Sequence, residues 1–91
     1  MSAEIEARMA QMAERFAARA GEYRAILQEA VARDDREAVC SQAHKLAGIA
    51  AMFGHPEIGE AAARLEDIGE AGGDYRPAAD HLAALLSGLG T

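Results

Sequence analysis

Three residues of this 91-residue chain have types and spacing that could do chemistry: His44, Gly48 and Glu66. A neutral imidazole is a nucleophile and a proton carrier near neutral pH. A glycine one helical turn beyond it leaves bare backbone beside the ring, which is what a bulky group approaching that ring would require. A carboxylate accepting from Nδ1–H would fix the tautomer and leave the Nε2 lone pair facing outward. Cys40 and His44 stand at i, i+4 and could form half of a metal site, but the chain has one cysteine in all and no second pair of ligands. The single Cys40 also excludes an internal disulfide and otherwise reads as a small apolar residue with some redox sensitivity. His55 reads as a turn residue before Pro56, and His81 as a flank position on a helix. A solvated histidine beside a chance glycine, and a solvated Glu66, would show the same letters, so the elements that position these residues decide between the readings.

Those elements are helices. Only eight residues are Val, Ile or Thr, against 23 alanines and abundant Leu, Glu, Arg, Met and Gln. Ile5, Met9, Met12, Phe16, Ala20, Tyr23, Leu27 and Ala30 recur at steps of three and four, which predicts one long amphipathic helix with Met9 and Met12 in the core. Gly21 is the point at which that helix is open to a kink or break. Asp34 and Glu37 have capping-box spacing, so a second helix is expected from about Asp35 to Phe53, with Val39, Ala43, Leu46, Ala50 and Phe53 inward. Gly54 suits a left-handed cap and Pro56 the first turn of a third helix. The third helix carries Ile58, Ala62, Leu65 and Ile68 or Gly69 inward and ends before Gly72-Gly73. Asp74 precedes a fourth, with Pro77 in its first turn and Leu82, Leu85, Leu86 and Leu89 as its stripe; Tyr23 and Tyr75 read as packing or rim residues. Short connections favour antiparallel neighbours, so the expected fold is an all-α, antiparallel up-down four-helix bundle, one domain over residues 1–91 without repeats or linkers.

On the second helix His44 lies ~140° from the inward stripe and points largely to solvent. If the hairpin turns at Gly54-His55, His44 is eleven positions before His55 and Glu66 eleven after it. Both then stand ~16 Å from the turn, at the same height on antiparallel helices. Glu66 lies ~80° from its own inward stripe, at the border of core and solvent, within plausible reach of the imidazole.

Composition narrows the function classes. With 9 Lys+Arg against 15 Asp+Glu the net charge is −6, which is a poor footprint for nucleic acid or an anionic membrane. The longest apolar run, Leu46 to Phe53, falls far short of a membrane span of ~20 residues. Acids near the N-terminus argue against a signal peptide, so a cytoplasmic location is expected. No glycine-rich phosphate loop is present, and a thin alanine-rich bundle has little room for a conventional enzyme pocket.

The segment from Ala43 to Glu66, AHKLAGIAAMFGHPEIGEAAARLE, resembles the signature of histidine-containing phosphotransfer (Hpt) domains. The matching positions are His44, Leu46, Gly48, Ala50, Gly54, Ile58, Ala62, Leu65 and Glu66, and the flanking helices agree with the family's layout. The resemblance implies that His44 is phosphorylated through Nε2 and that Glu66 orients its ring. It implies a phosphoryl carrier between aspartates of receiver domains, in a hybrid histidine kinase or a response regulator, within multistep two-component signalling. A carrier of this kind has no autokinase activity and binds no ATP; it needs no cofactor of its own, the receiver supplying Mg²⁺. Many relatives have Lys directly before the glycine where this chain has Ala47, and a small residue where it has Ile49. The expected docking surface comprises Ser41, Lys45, Ala47, Gly48, Ala51 and Met52 around His44, and Met9 or Met12 could extend it. A monomer is expected. Two rival functions are a helical adaptor without phosphoryl chemistry and a metal or redox sensor built on Cys40 and His44.

Overall fold

The computed structural model describes residues 2–89, which form four helices: α1 (Ser2–Ala32), α2 (Arg36–Met52), α3 (Pro56–Glu70) and α4 (Arg76–Leu89). Each packs on its sequence neighbour, and α4 returns to α1, closing an up-down bundle. Contacts between Phe16 and Phe53, and between Gln42 and Tyr23, show that α1 and α2 run antiparallel. The core is built from Phe16, Leu27, Val39, Leu46, Leu65, Tyr75, Leu82 and Leu86, with alanines filling the space between them.

Helix ends follow local chemistry. Gly54 has φ +86°, a left-handed conformation that stops α2, and Pro56 opens α3. The cap of α2 is Asp35, one residue later than the capping box suggested: its carboxylate accepts from Ala38 N–H at 3.1 Å. Asp34 instead sits at φ 52° in the turn. Its carboxylate accepts from the Tyr75 hydroxyl and pairs with Arg76 at 3.2 Å.

Two expectations for α1 are corrected. The helix passes through Gly21 without interruption, because Phe16, Ala20, Tyr23 and Leu27 on either side are all held in the core, and that burial offsets the ~1 kcal/mol a helical glycine costs. The inward stripe begins only at Phe16. Ile5 and Met9 are 62% and 54% exposed and Met12 is half-buried. Lengths explain this: a 31-residue helix spans ~46 Å, whereas α2, α3 and α4 have 17, 15 and 14 residues. The α2–α3 turn meets α1 at Ala13, where His55 Nε2 lies 3.3 Å from the carbonyl oxygen, so the first turns of α1 project past the bundle end.

The α2–α3 hairpin is the closest pairing. A Cβ placed on Gly59 would lie 3.3 Å from Ala51 Cβ, and one on Gly69 would overlap Cys40 Sγ. At the far end of the bundle a latch ties the α1–α2 turn to the start of α4. Arg36 donates to the carbonyls of Gly69 and Gly73, and Arg36 and Arg76 lie over the Tyr75 ring at 5.0 and 5.6 Å. The Tyr75 hydroxyl, followed by Arg76, holds the Asp34 carboxyl below its usual range, and the same hydrogen bond with burial pushes the Tyr75 phenol up.

Two outcomes follow from this packing. Gly69→Ala should destabilise the bundle by about 1–3 kcal/mol, the scale of overpacking. In a Cys40→Ala background the same change should become neutral or stabilising, since alanine is the better helix former. Chemical denaturation of the four chains of this cycle reads the sign change. For the latch, Asp34 has its carboxyl depressed in the folded state, so its contribution is present above about pH 4 and fades as pH falls through the folded value. Tyr75 has its phenol raised, so its contribution is present below about pH 10 and fades above. Tyr75→Phe should therefore lower the melting temperature most at neutral pH, the gap to wild type narrowing in acid and in strong base.

Candidate functional site

The site is assembled on the α2–α3 hairpin. The close approach at Gly59 and Gly69 brackets Glu66 and brings its carboxylate to the flank of α2. His44 Nδ1 lies 2.8 Å from Glu66 Oε2, across a separation of 22 residues in the chain. The histidine side chain is 78% exposed and the glutamate 20%, so the carboxylate is held by the hairpin while the ring stands in solvent. An ionised carboxylate only accepts, which makes Nδ1 the protonated nitrogen and leaves Nε2 with its lone pair on the open side. The level-height expectation for this pair is met by the structure.

Gly48 follows on the same ridge of α2. It is exposed, and a Cβ built there has no neighbour within 4 Å. Packing therefore sets no limit at this position, in contrast to the tight seam at Gly59 and the overlap at Gly69. Ser41, Lys45, Ala51 and Met52 are exposed around the ring, Met52 at 69%. Ala47 is half-buried, its carbonyl 3.4 Å from where a Gly59 Cβ would lie, so it sits in the α2–α3 seam more than on the open face. Cys40 is half-buried against Gly69, and burial, followed by the charge of Glu70, pushes its thiol up. That is the opposite of an activated thiolate. Among the described residues no cluster of three or more His, Cys, Asp or Glu could hold a metal ion.

His55 is not merely a turn residue. It precedes Pro56 without a side-chain cap, and its ring lies 5.2 Å from that of Phe16 and reaches the Ala13 carbonyl. This pins the hairpin to α1. The aromatic contact was not readable from local spacing, because it joins positions on helices far apart in sequence. Arg15 and Arg19 were likewise not marked by sequence. They line, with Phe16, Tyr23 and Phe53, the outer groove between α1 and the end of α2.

The arrangement is thus an exposed imidazole held by a half-buried carboxylate, beside open backbone on a four-helix bundle. The Hpt domain family model matches residues 11–91, and the chain belongs to the Hpt domain family. Hpt domains are phosphocarriers rather than enzymes, act in histidine phosphotransfer in phosphorelay signalling and interact with receiver domains. No curated protein and no solved structure gives a significant match. Among the described residues no helix is long and apolar enough to cross a membrane.

Gly48→Ala separates fold from function. In open space the methyl group should stabilise the bundle by about 0.5–1 kcal/mol through helix propensity. The same methyl narrows the approach to Nε2, so reaction of that nitrogen with any incoming phosphoryl donor should slow while the melting temperature rises. Parallel thermal melts and transfer assays check both directions.

Proposed function

We propose that His44 carries a phosphoryl group on Nε2 between aspartates of receiver domains. The observation that supports this most is the 2.8 Å contact of Nδ1 with Glu66 on a ring that is otherwise open to solvent. The Nε2 lone pair attacks the phosphorus of a receiver's aspartyl phosphate. The N–P bond forms as the acyl O–P bond breaks, and the receiver's aspartate leaves as a carboxylate. Nδ1 keeps its proton throughout, so the ring becomes a phosphoimidazolium whose charge faces the Glu66 carboxylate. In the onward step an aspartate of a second receiver attacks phosphorus, the Nε2–P bond breaks, and the imidazole returns to its neutral form.

Little else is asked of this chain. We assign the Mg²⁺ of the transfer to the receiver, where it would neutralise charge on the moving group. The bundle's contribution is position: a ring held in one tautomer, at one height, with no side chain at Gly48 to block it. Ala47 leaves the place of a phosphate-holding lysine empty, and we assign that electrostatic support to the partner as well. On this reading the chain neither binds ATP nor phosphorylates itself, and it works in the cytoplasm as a monomer.

The test is chemical. Wild-type chain incubated with receiver domains phosphorylated by acetyl phosphate should take up acid-labile, alkali-stable label, and His44→Gln should take up none. Label persisting in His44→Gln overturns the site. Failure with every receiver in a broad panel favours an adaptor without phosphoryl chemistry. Glu66→Ala should fold normally and slow transfer about ten-fold, as expected for one orienting hydrogen bond worth about 1–2 kcal/mol.

A further inference from the structure

The face that carries His44 is electrically divided. On one side lies α1. The pairs Phe16–Phe53 and Tyr23–Gln42 place residue 19 about level with Gly48, one turn from His44. Arg15 and Arg19 flank the groove there, both exposed, Arg19 with its guanidinium 5.9 Å from the Tyr23 ring and 3.5 Å from Glu22. Lys45 lies ~100° around α2 from His44, on the edge that faces this groove. Three cations, with Glu22 paired to Arg19 and Glu14 turned ~100° around α1 from Arg15, leave this flank basic on a chain whose net charge is −6.

On the other side lies α3. Glu66 is engaged with His44, and Asp67 and Glu70 are exposed, ~100° and ~40° around the helix from it, away from buried Leu65. Arg64, the one base of α3, falls on the far side, in the groove shared with His81 and Leu85 of α4, and Arg36, at the Glu70 end of the flank, is turned into the carbonyls of Gly69 and Gly73. The exposed ridge of Ser41, His44 and Gly48 therefore runs between a basic and an acidic flank. Between ridge and basic flank stand the half-buried Phe53 and the exposed Met52, a small apolar contact beside the charges.

A symmetrical approach to Nε2 would allow a partner to rotate freely about the line of phosphoryl transfer. A divided field removes that freedom, because long-range charge selects orientation and encounter rate before close contact forms. We propose that this polarity sets the orientation of the docked receiver, which presents carboxylates to the Arg15–Arg19–Lys45 flank and bases to the Asp67–Glu70 flank. The inference rests on the carrier reading above and adds to it the charge pattern that a partner must show. It makes Arg15, Arg19 and Lys45 specificity-determining residues, contributing to recognition and not to the chemical step.

The experiment compares charge reversals on the two flanks, with the receiver that gives fastest transfer to wild type, phosphorylated by acetyl phosphate. The pair Arg15→Glu, Arg19→Glu should raise KM about ten-fold at low salt, leave the saturating single-turnover rate unchanged, and lose most of its effect at about 0.5 M salt. The pair Asp67→Lys, Glu70→Lys adds cations near the C-terminus of α3, where they suit the helix dipole. It too should raise KM. Arg64→Glu, a reversal off this face, should change KM less than about two-fold. If net charge alone governed docking, reversing the basic and acidic flanks would shift KM in opposite directions, and that result overturns the proposal. Equal effects from Arg64→Glu, or none from either flank, overturn it as well while leaving the carrier reading intact. Absence of label on wild type overturns the carrier reading itself.

Discussion

Everything at the site depends on how closely α2 and α3 approach. Interaxial distance follows from the side chains at the contact, and glycine or alanine on both sides brings helices to the near end of the normal range. Here Gly59 meets the backbone and side chain of Ala51, and Gly69 receives the sulfur of Cys40. These contacts lie on either side of Glu66 and fix both spacing and register. A glutamate side chain is short compared with the separation of loosely packed helices. Only with this seam closed does Oε2 come to 2.8 Å from Nδ1. The hydrogen bond that sets the tautomer of His44 is thus a consequence of small residues that never touch the ring.

The rest of the bundle holds that hairpin still. At one end His55 packs with a tilted ring against Phe16 and reaches the Ala13 carbonyl, joining the α2–α3 turn to α1. At the other, Tyr75 is 1% exposed with its hydroxyl on Asp34, and Arg36 bonds the carbonyls of Gly69 and Gly73. The core between them contains few large side chains, so each of Phe16, Leu46, Leu65 and Tyr75 supplies a large share of the apolar burial. Ties at both ends compensate for a thin middle. An exposed ring would otherwise be placed by a scaffold with too little packing to keep its helices in register.

Helical periodicity and glycine–proline punctuation made the four helices and their order legible in the sequence. Equal distance from the hairpin turn made His44 and Glu66 legible as a pair, because in antiparallel helices chain distance converts directly into height. Other features depend on information that periodicity does not hold. The stripe Ile5–Met9–Met12 has the same spacing as the buried stripe that continues from Phe16, but spacing reports a face and says nothing of whether another helix reaches it. Asp34 and Asp35 are equally good caps by residue type; a hydroxyl from Tyr75, 41 positions away, draws the first into the latch and leaves the second to cap α2. Gly69 needs its bare backbone because of Cys40, again a contact across helices. The division of charge around His44 depends on which sides of α1 and α3 turn outward, and that is settled only when the bundle closes.

The glycines of the hairpin then separate into two kinds, and the separation bears on function. Gly59 and Gly69 lie in the packed seam: a Cβ at Gly59 would make a tight 3.3 Å contact with Ala51, and one at Gly69 would overlap Cys40 Sγ. Gly54 is required by a left-handed turn. Gly48 answers to neither requirement, since it lies mid-helix with open space where its side chain would be. A helical glycine costs about 0.5–1 kcal/mol relative to alanine, a noticeable fraction of the stability of a small domain. As at Gly21, burial of the helix's other residues offsets that cost. The open space beside His44 is what the proposed carrier role would use, since a phosphoryl group and the partner that delivers it must both reach the ring.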